Sequence, residues 1–284
     1  MRISGLLCCL PALLWQPERL PSNAFELTAL DVGQGLSLVI KTSSHVLVYD
    51  TGPKFQSGTD TGILALLPYL HSMGIRTLDA VMISHGDDDH AGGMNSVAQG
   101  MSVRQWWLGP SVNADQLPSQ DNVQRCQRGQ HWQWDGVQFD VLYPSPAEST
   151  ETLSRNNTSC VLRISASGGS ALLLGDAEAP VEQQLLTEGS LVPTTIVVAG
   201  HHGSRSSSTP GLVSAVHAQQ VIFSAGYRNR WGFPKPEVVT AWQASGARTH
   251  STIDAGAITL NVLPSGVQPA RWYREPQRHY WQLN

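Results

Sequence analysis

Within the stretch Ser84-His85-Gly86-Asp87-Asp88-Asp89-His90-Ala91-Gly92-Gly93, five groups able to bind a metal fall in six residues, in a chain that is only 14% charged. Imidazole nitrogens and carboxylate oxygens together suit divalent ions that activate water. His85 and Asp87 are two apart, so an extended backbone turns both to one side. Asp89 and His90 fall where Gly92-Gly93 mark a turn into helix, and the chain reversal there can aim them at the same point. Two later stretches carry similar groups: Asp176 in Gly175-Asp176-Ala177-Glu178, and His201-His202 in Gly200-His201-His202-Gly203-Ser204. Taken alone, a Gly-Asp pair is a turn and a His-His pair is surface. Their appearance beside the first cluster makes the three stretches one candidate metal site.

The elements that must position these groups read as strands followed by turns. Leu78 to Ile83 is an apolar run of strand length before His85, Ala171 to Leu174 precedes Asp176, and Thr195 to Ala199 precedes His201. Each polar group thus follows a strand, where open α/β sheets build their sites. Phe25 to Val32 and Leu36 to Lys41 are strands split by Gly33-Gln34-Gly35, and His45 to Tyr49 is a third, ending at Asp50-Thr51-Gly52. Gly62 to Met73 has helical spacing, with a kink at Pro68 and a stop at Gly74; a second helix runs from the metal motif to about Gln99. Residues 100 to 135 are less regular, and Trp106, Trp107, Trp132 and Trp134 read as core or rim packing. Val137 to Leu142 and a hairpin over Cys160 to Leu174 follow. Helices over Ala179 to Thr187, Pro210 to His217 and Pro236 to Ser245 alternate with strands Thr195 to Ala199, Gln220 to Ser224 and Ala257 to Val262. The repeat of style predicts two αβ halves facing one another across a site.

Composition narrows the function. The chain has 284 residues, 41% hydrophobic, with 26 glycines, enough for one large α/β domain. A net charge of −4 supplies no basic field, so attraction to a polyanion must come from metal and local arginines. Cys8, Cys9, Cys126 and Cys160 form no Cys-x-x-Cys pair, which excludes a zinc ribbon or thioredoxin-like motif; Cys126 and Cys160 are expected as two isolated thiols rather than a disulfide. Residues 1–23 form an apolar segment and linker, too short over Gly5 to Trp15 to span a bilayer. That segment reads as a signal-like core or the remnant of a membrane helix, with the folded domain over 24–284.

In this order, Asp50-Thr51-Gly52, Ser-His-x-Asp-x-Asp-His-x-Gly-Gly, Leu-Leu-Gly-Asp and Gly-His-His-Gly-Ser resemble the metallo-β-lactamase fold superfamily. Within it, Leu30-Asp31-Val32-Gly33-Gln34-Gly35, Asn156-Asn157-Thr158-Ser159, Asn229 to Pro236 and Asp254 to Ile258 make residues 25 to 262 similar to the C-terminal domain of the ComEC family of DNA-internalisation competence proteins. The resemblance implies an αββα sandwich with two divalent ions at one edge. His85 and Asp87 would hold the first, Asp89 and His90 the second, and Asp176 would bridge them. One of His201 and His202 would complete the second; with His201 there, His202 contacts the scissile phosphate or protonates the leaving oxygen. Asp50 orients a metal-bound histidine. The superfamily usually has histidine where Asp87 stands, and a third-motif histidine that is missing between His90 and Asp176. The turn Asn156 to Ser159 occupies that interval, with Asn157 and Ser159 assigned to substrate. Oxygen-rich ligation favours Mn²⁺, with Zn²⁺ the alternative.

The implied reaction is hydrolysis of a phosphodiester, with Asp89 guiding the nucleophile's proton. Ser204 would hold a phosphate oxygen, and Arg205, Arg228, Arg230 and Lys235 would position the nucleic-acid backbone. The resemblance implies a nuclease at the extracytoplasmic face of the inner membrane, degrading the non-transported strand beside a membrane channel that this chain lacks. Two alternatives stand beside it. One is a non-hydrolytic domain docking DNA or the channel, with structural metals. The other is a different hydrolase of the same fold, such as a lactamase or phosphorylcholine-type esterase. The tail from Arg271-Trp272-Tyr273-Arg274 to Trp281 is basic and aromatic, and is expected as an edge strand rather than a platform for single-stranded DNA.

Overall fold

Short runs rich in β-branched and leucine residues, cut by glycine turns, build two mixed sheets packed face to face in a computed structural model that describes residues 19–119, 121–146 and 153–274. The first sheet runs in the order Gly266–Val267, Ile258–Leu263, Phe25–Ala29, Leu38–Lys41, Val46–Tyr49, Ala80–Ile83, Trp106–Leu108 and Val123–Arg125, with Arg271–Trp272 also paired to Ile258–Leu263. The second runs Arg248–Ser251, Gln220–Phe223, Ile196–Val198, Gly169–Leu173, Val161–Ala166, Val137–Tyr143 and His131–Trp134.

Phe25, Leu27, Ile40, Leu47 and Leu260 from the first sheet meet Phe139, Leu162, Ile164, Leu173 and Ile196 from the second in one buried core. Helices Ala179–Thr187, Pro210–Val216 and Pro236–Ala244 cover the outer face of the second sheet through Val181, Leu185, Leu212 and Trp242. Leu66, Leu70, Met94 and Val97 close the outer face of the first. The result is the expected αββα sandwich of two facing halves, because each sheet must hide both faces.

Three local features differ from the sequence reading. The segment Gly62–Leu66 is wound wider than an α-helix and only Leu67–Ser72 is α-helical; Pro68, which lacks an N–H, sits in the first turn of that α-helix rather than at a mid-helix kink. The expected helix through Gln99 is broken into Asp88–Ala91 and Met94–Gly100. A side chain at Gly92 would sit 2.2 Å from Lys54 N, so the break is where the metal loop packs on the Pro53-Lys54 backbone. Cys126 and Cys160 are joined in a disulfide, correcting the expectation of free thiols: their Cα atoms are 5.9 Å apart, because Cys126 follows Val123–Arg125 of the first sheet, Cys160 precedes Val161–Ala166 of the second, and both lie in the core where the sheets pack.

The stretch read as irregular holds the short strands Trp106–Leu108, Val123–Arg125 and His131–Trp134. Trp106 is buried, Trp132 stacks on Trp107 and Phe139, and Trp134 meets Trp132 and Phe139 edge-on, as packing residues do. Arg271–Trp272 forms the expected edge strand. Residues 275–284 of the tail, and the apolar segment up to residue 18, lie outside the described residues.

Candidate metal centre

Parallel strands from both sheets end at one edge of the sandwich. Val46–Tyr49 and Ala80–Ile83 run parallel in the first sheet; Gly169–Leu173, Ile196–Val198 and Gln220–Phe223 run parallel in the second. Just past their C-terminal ends lie Asp50, the His85–His90 loop, Asp176, His201-His202 and Ser224. Asp50, His201 and His202 have φ of +59°, +47° and +56°, left-handed values that are uncommon for non-glycine residues and cluster at sites held by surrounding contacts.

One donor atom from each of Asp89, His90, Asp176 and His202 falls within 4.8 Å of the others. The hydrogen bonds behind them decide what such a group can hold. His90 Nδ1 lies 2.7 Å from Asp50 Oδ2, and His202 Nδ1 lies 2.8 Å from the carbonyl of Ser224. Both acceptors lack a proton, so each Nδ1 donates. Nε2 of each ring is thereby turned inward, offering a lone pair when the ring is neutral and an N–H when it is protonated. Those two Nε2 atoms are 3.2 Å apart, with Asp176 Oδ1 3.0 Å from one and Asp89 Oδ2 3.2 Å from the other. With the rings neutral, four acceptors face one another in a largely buried space, an arrangement that a proton or a metal cation relieves. Asp176 Oδ1 is buried without a hydrogen bond despite its closeness to His90, and His85 Nε2 is likewise orphaned. The residues present thus fit a divalent ion.

The electrostatics agree. Burial alone pushes the carboxyls up and the imidazoles down. Attraction within the group outweighs it. His202 and His90 hold Asp176 well below the usual carboxylate range, and the His202 hydrogen bond and nearby imidazole charge hold Asp89 at about 2. Asp176 and Asp50 raise His90 well above its ordinary value, and Asp176 and Asp89 raise His202. The site draws in positive charge, as a proton or as a metal.

Asp50 is fully buried and also accepts from Ser84 N and Ser84 Oγ at 2.6 and 2.7 Å, so its role as the orienting carboxylate is visible in the hydrogen bonds. Gly35 lets the first glycine turn close on the loop: a Cβ there would sit 2.4 Å from the Asp89 carbonyl.

The other expected residues lie around this group in different ways. His85 is buried with Nε2 3.7 Å from Asp87 Oδ2, while Asp87 is partly exposed and pairs with Arg155 at 3.2 Å. The neighbouring His85 is the main cause of a lowered Asp87 pKa. His201 stands at the edge: its Nε2 is 3.8 Å from Asp176 Oδ2, while Nδ1 meets Glu178 Oε1 at 3.2 Å and Ser206 Oγ at 3.1 Å. The compact group therefore contains His202 where the sequence reading had placed His201.

Asn157 and Ser159, expected to touch substrate, are buried and used inside the protein. Asn157 Oδ1 accepts from Glu178 N at 3.0 Å, and Ser159 Oγ accepts from Asp176 N at 3.0 Å and lies 3.4 Å from His85 Nδ1. Ser204 Oγ is occupied by Ser206, and Arg205 is paired with Glu237 on the surface. Arg230 is exposed and stacks on Trp231. Sequence reasoning missed Arg155, the Glu178 contact to His201, and the Ser224 carbonyl; a backbone acceptor leaves no signal in residue types.

Residues 30–217 match the metallo-beta-lactamase superfamily, and the chain belongs to it. Over 94% of its length it is 33% identical to the Competence protein ComA of Neisseria gonorrhoeae, and over 94% it is 31% identical to Recombination protein 2 of Haemophilus influenzae. It spans only 36% and 33% of those relatives, about a third of their length. The fold is also that of the metallo-beta-lactamase fold protein YhfI from Bacillus subtilis, with a TM-score of 0.54 at 11% identity, covering 84% of this chain and 99% of that one. Among the described residues no helix is long and apolar enough to cross a membrane.

Proposed function

We propose that the chain is a metal-dependent phosphodiesterase that cuts DNA during its uptake, degrading the strand that is not transported. The observation that carries this reading is the compact, largely buried group of Asp89, His90, Asp176 and His202, whose ligand atoms all lie within 4.8 Å of one another. Similarity to competence proteins over 94% of the chain supports DNA as the substrate.

Divalent ions bound there would activate water and stabilise charge on the attacking and leaving oxygens of a phosphodiester. Asp89, whose side chain is 31% exposed against 5% for Asp176, is the carboxylate placed to guide the nucleophile's proton. His202 serves as a ligand, and His201, more open and at the rim, serves the leaving oxygen. His85 and Asp87 hold the second ion. Three carboxylates in the set favour Mn²⁺ over Zn²⁺. The Cys126–Cys160 disulfide supports an oxidising compartment outside the cytoplasm, beside a membrane channel.

A second reading is a DNA- or channel-docking domain with a structural ion. The Asp87–Arg155 pair favours it, because a carboxylate engaged by arginine is a weaker ligand. The two separate in one assay. Metal-stripped protein is incubated with end-labelled single- and double-stranded DNA, with Mn²⁺, Mg²⁺ or Zn²⁺ restored, beside an Asp87→Ala, Asp89→Ala variant. Cleavage by the parent alone is expected; a folded parent that binds DNA but fails to cut it whichever ion is restored would establish the docking domain.

A further inference from the structure

The loop from Tyr227 to Lys235, after strand Gln220–Phe223, carries aromatic and cationic residues in alternation. Phe233 stacks toward the His202 ring at 6.4 Å between centroids and meets the His201 ring edge-on at 5.5 Å. Trp231 lies nearly parallel to Phe233, 6.3 Å further out. The Arg230 guanidinium sits 4.2 Å from the Trp231 centroid, and Lys235 Nζ lies 5.5 Å from that of Phe233. Tyr227, flanked by Arg228 at 5.1 Å, is 71% exposed, and Trp231 is 43% exposed. A ladder of rings thus leads from the donor group into solvent.

The ladder is rigid. Asn229 Nδ2 donates to the Gly226 and Phe233 carbonyls at 2.9 and 2.7 Å, while its Oδ1 accepts from Phe233 N at 2.9 Å. Lys235 Nζ donates to the Trp231 carbonyl at 2.6 Å. These bonds fix the backbone of the loop, which leaves the Trp231 and Tyr227 rings exposed to solvent.

We propose that Trp231, with Tyr227, is a stacking platform for unpaired bases of single-stranded DNA, feeding the adjoining backbone toward the metal centre. Three features select this occupant. Every base offers a π-face, but only an unpaired one can leave its neighbours to use a ring. The cations interleaved with the rings sit where phosphates flanking a stacked base would pass, in a chain whose net charge of −4 offers no broader attraction. The ladder is also continuous with the rings of His201 and His202, so a base held on Trp231 lies in line with the site. The proposal rests on the reading that nucleic acid reaches this metal centre. It adds that the protein distinguishes single strands from duplexes by stacking rather than by charge.

The test compares the parent with Trp231→Ala, Trp231→Phe and Tyr227→Ala in fluorescence anisotropy. The probes are a short labelled oligothymidylate, an abasic chain of equal length and charge, and a blunt duplex. Binding is read with chelator and with Mn²⁺, and cleavage is followed in parallel. The parent is expected to prefer oligothymidylate to the abasic chain. Trp231→Ala is expected to weaken oligothymidylate alone, roughly 5- to 100-fold as one lost stack, with Trp231→Phe restoring most of it. Equal loss on the abasic chain, or no loss anywhere, overturns the proposal, as does a parent that binds none of the three probes. A parent that keeps the base preference but cuts nothing sinks the hydrolase and spares the platform. One that cuts without base preference does the reverse.

Discussion

The two parts of the candidate metal site, an inner end at His90 and His202 and an outer end at His85 and Asp87, are built on different plans. At the inner end, His90 and His202 are fully or nearly buried, and each is fixed through Nδ1, by Asp50 and by the Ser224 carbonyl. At the outer end, His85 is buried but Asp87 reaches it only at 3.7 Å and is shared with an exposed arginine. The inner end is preorganised, so little ordering is left for an ion to impose. The outer end must first detach Arg155. One position should therefore fill tightly and early, the other weakly and late.

The sharpest way to break this contrast is Asp176→Asn. It removes negative charge facing both histidines of the inner end, and is expected to cost more than about 100-fold in affinity for the first ion, above the range of supporting residues alone. Titration calorimetry with Mn²⁺ reads it. Asp50→Asn touches only the support of His90, so a loss of about 10- to 100-fold confined to the tight site is expected; equal weakening of both sites would show that the ends are not independent.

Acidity probes the same asymmetry. Burial lowers His90, but Asp176 and Asp50 raise its folded pKa well above the ordinary 6.5 or so. In the metal-free protein its contribution to stability is therefore complete below about pH 6.5 and disappears as pH rises through the raised value. An incoming ion must displace that proton, so inner-site affinity should climb with pH, up to about tenfold per unit, with proton release. Calorimetry in two buffers of different ionisation enthalpy measures the release, and none would contradict the raised His90 value. The smallest effect belongs to Arg155→Ala. An exposed ion pair is worth about 0–1 kcal/mol, so freeing Asp87 should strengthen the second, weaker site by no more than about fivefold and leave the first unchanged.

Much of the site was readable because its residues stand in dense, short-range patterns. The cluster His85 to His90, Asp176 and the His201-His202 pair each follow an apolar strand, and parallel strands deliver them to one edge. Asp50 was readable too, since a carboxylate after a strand beside histidines has one obvious use. Side-chain direction was not. Choosing between His201 and His202 depends on backbone at left-handed φ and on the Ser224 carbonyl, which residue types do not encode. Ser159 and Asn157 sit in a motif that pointed to substrate, yet the turn folds inward. The disulfide escaped because Cys126 and Cys160 are 34 residues apart and meet only where the two sheets pack on one another. Strands of three residues such as Trp106–Leu108 are too short for alternation to show.

The pairing of Phe25–Ala29 with Ile258–Leu263 has a consequence for synthesis on the ribosome. Thr28 and Thr259 hydrogen-bond across a separation of 231 residues, so an interior strand of the first sheet lacks one neighbour until almost the whole domain has emerged. Contacts of such long range form slowly, and an unpaired strand edge invites wrong partners meanwhile. The nascent chain must carry Phe25–Ala29 half-paired, and a truncation before Ile258 would leave that edge permanently open for association with another copy.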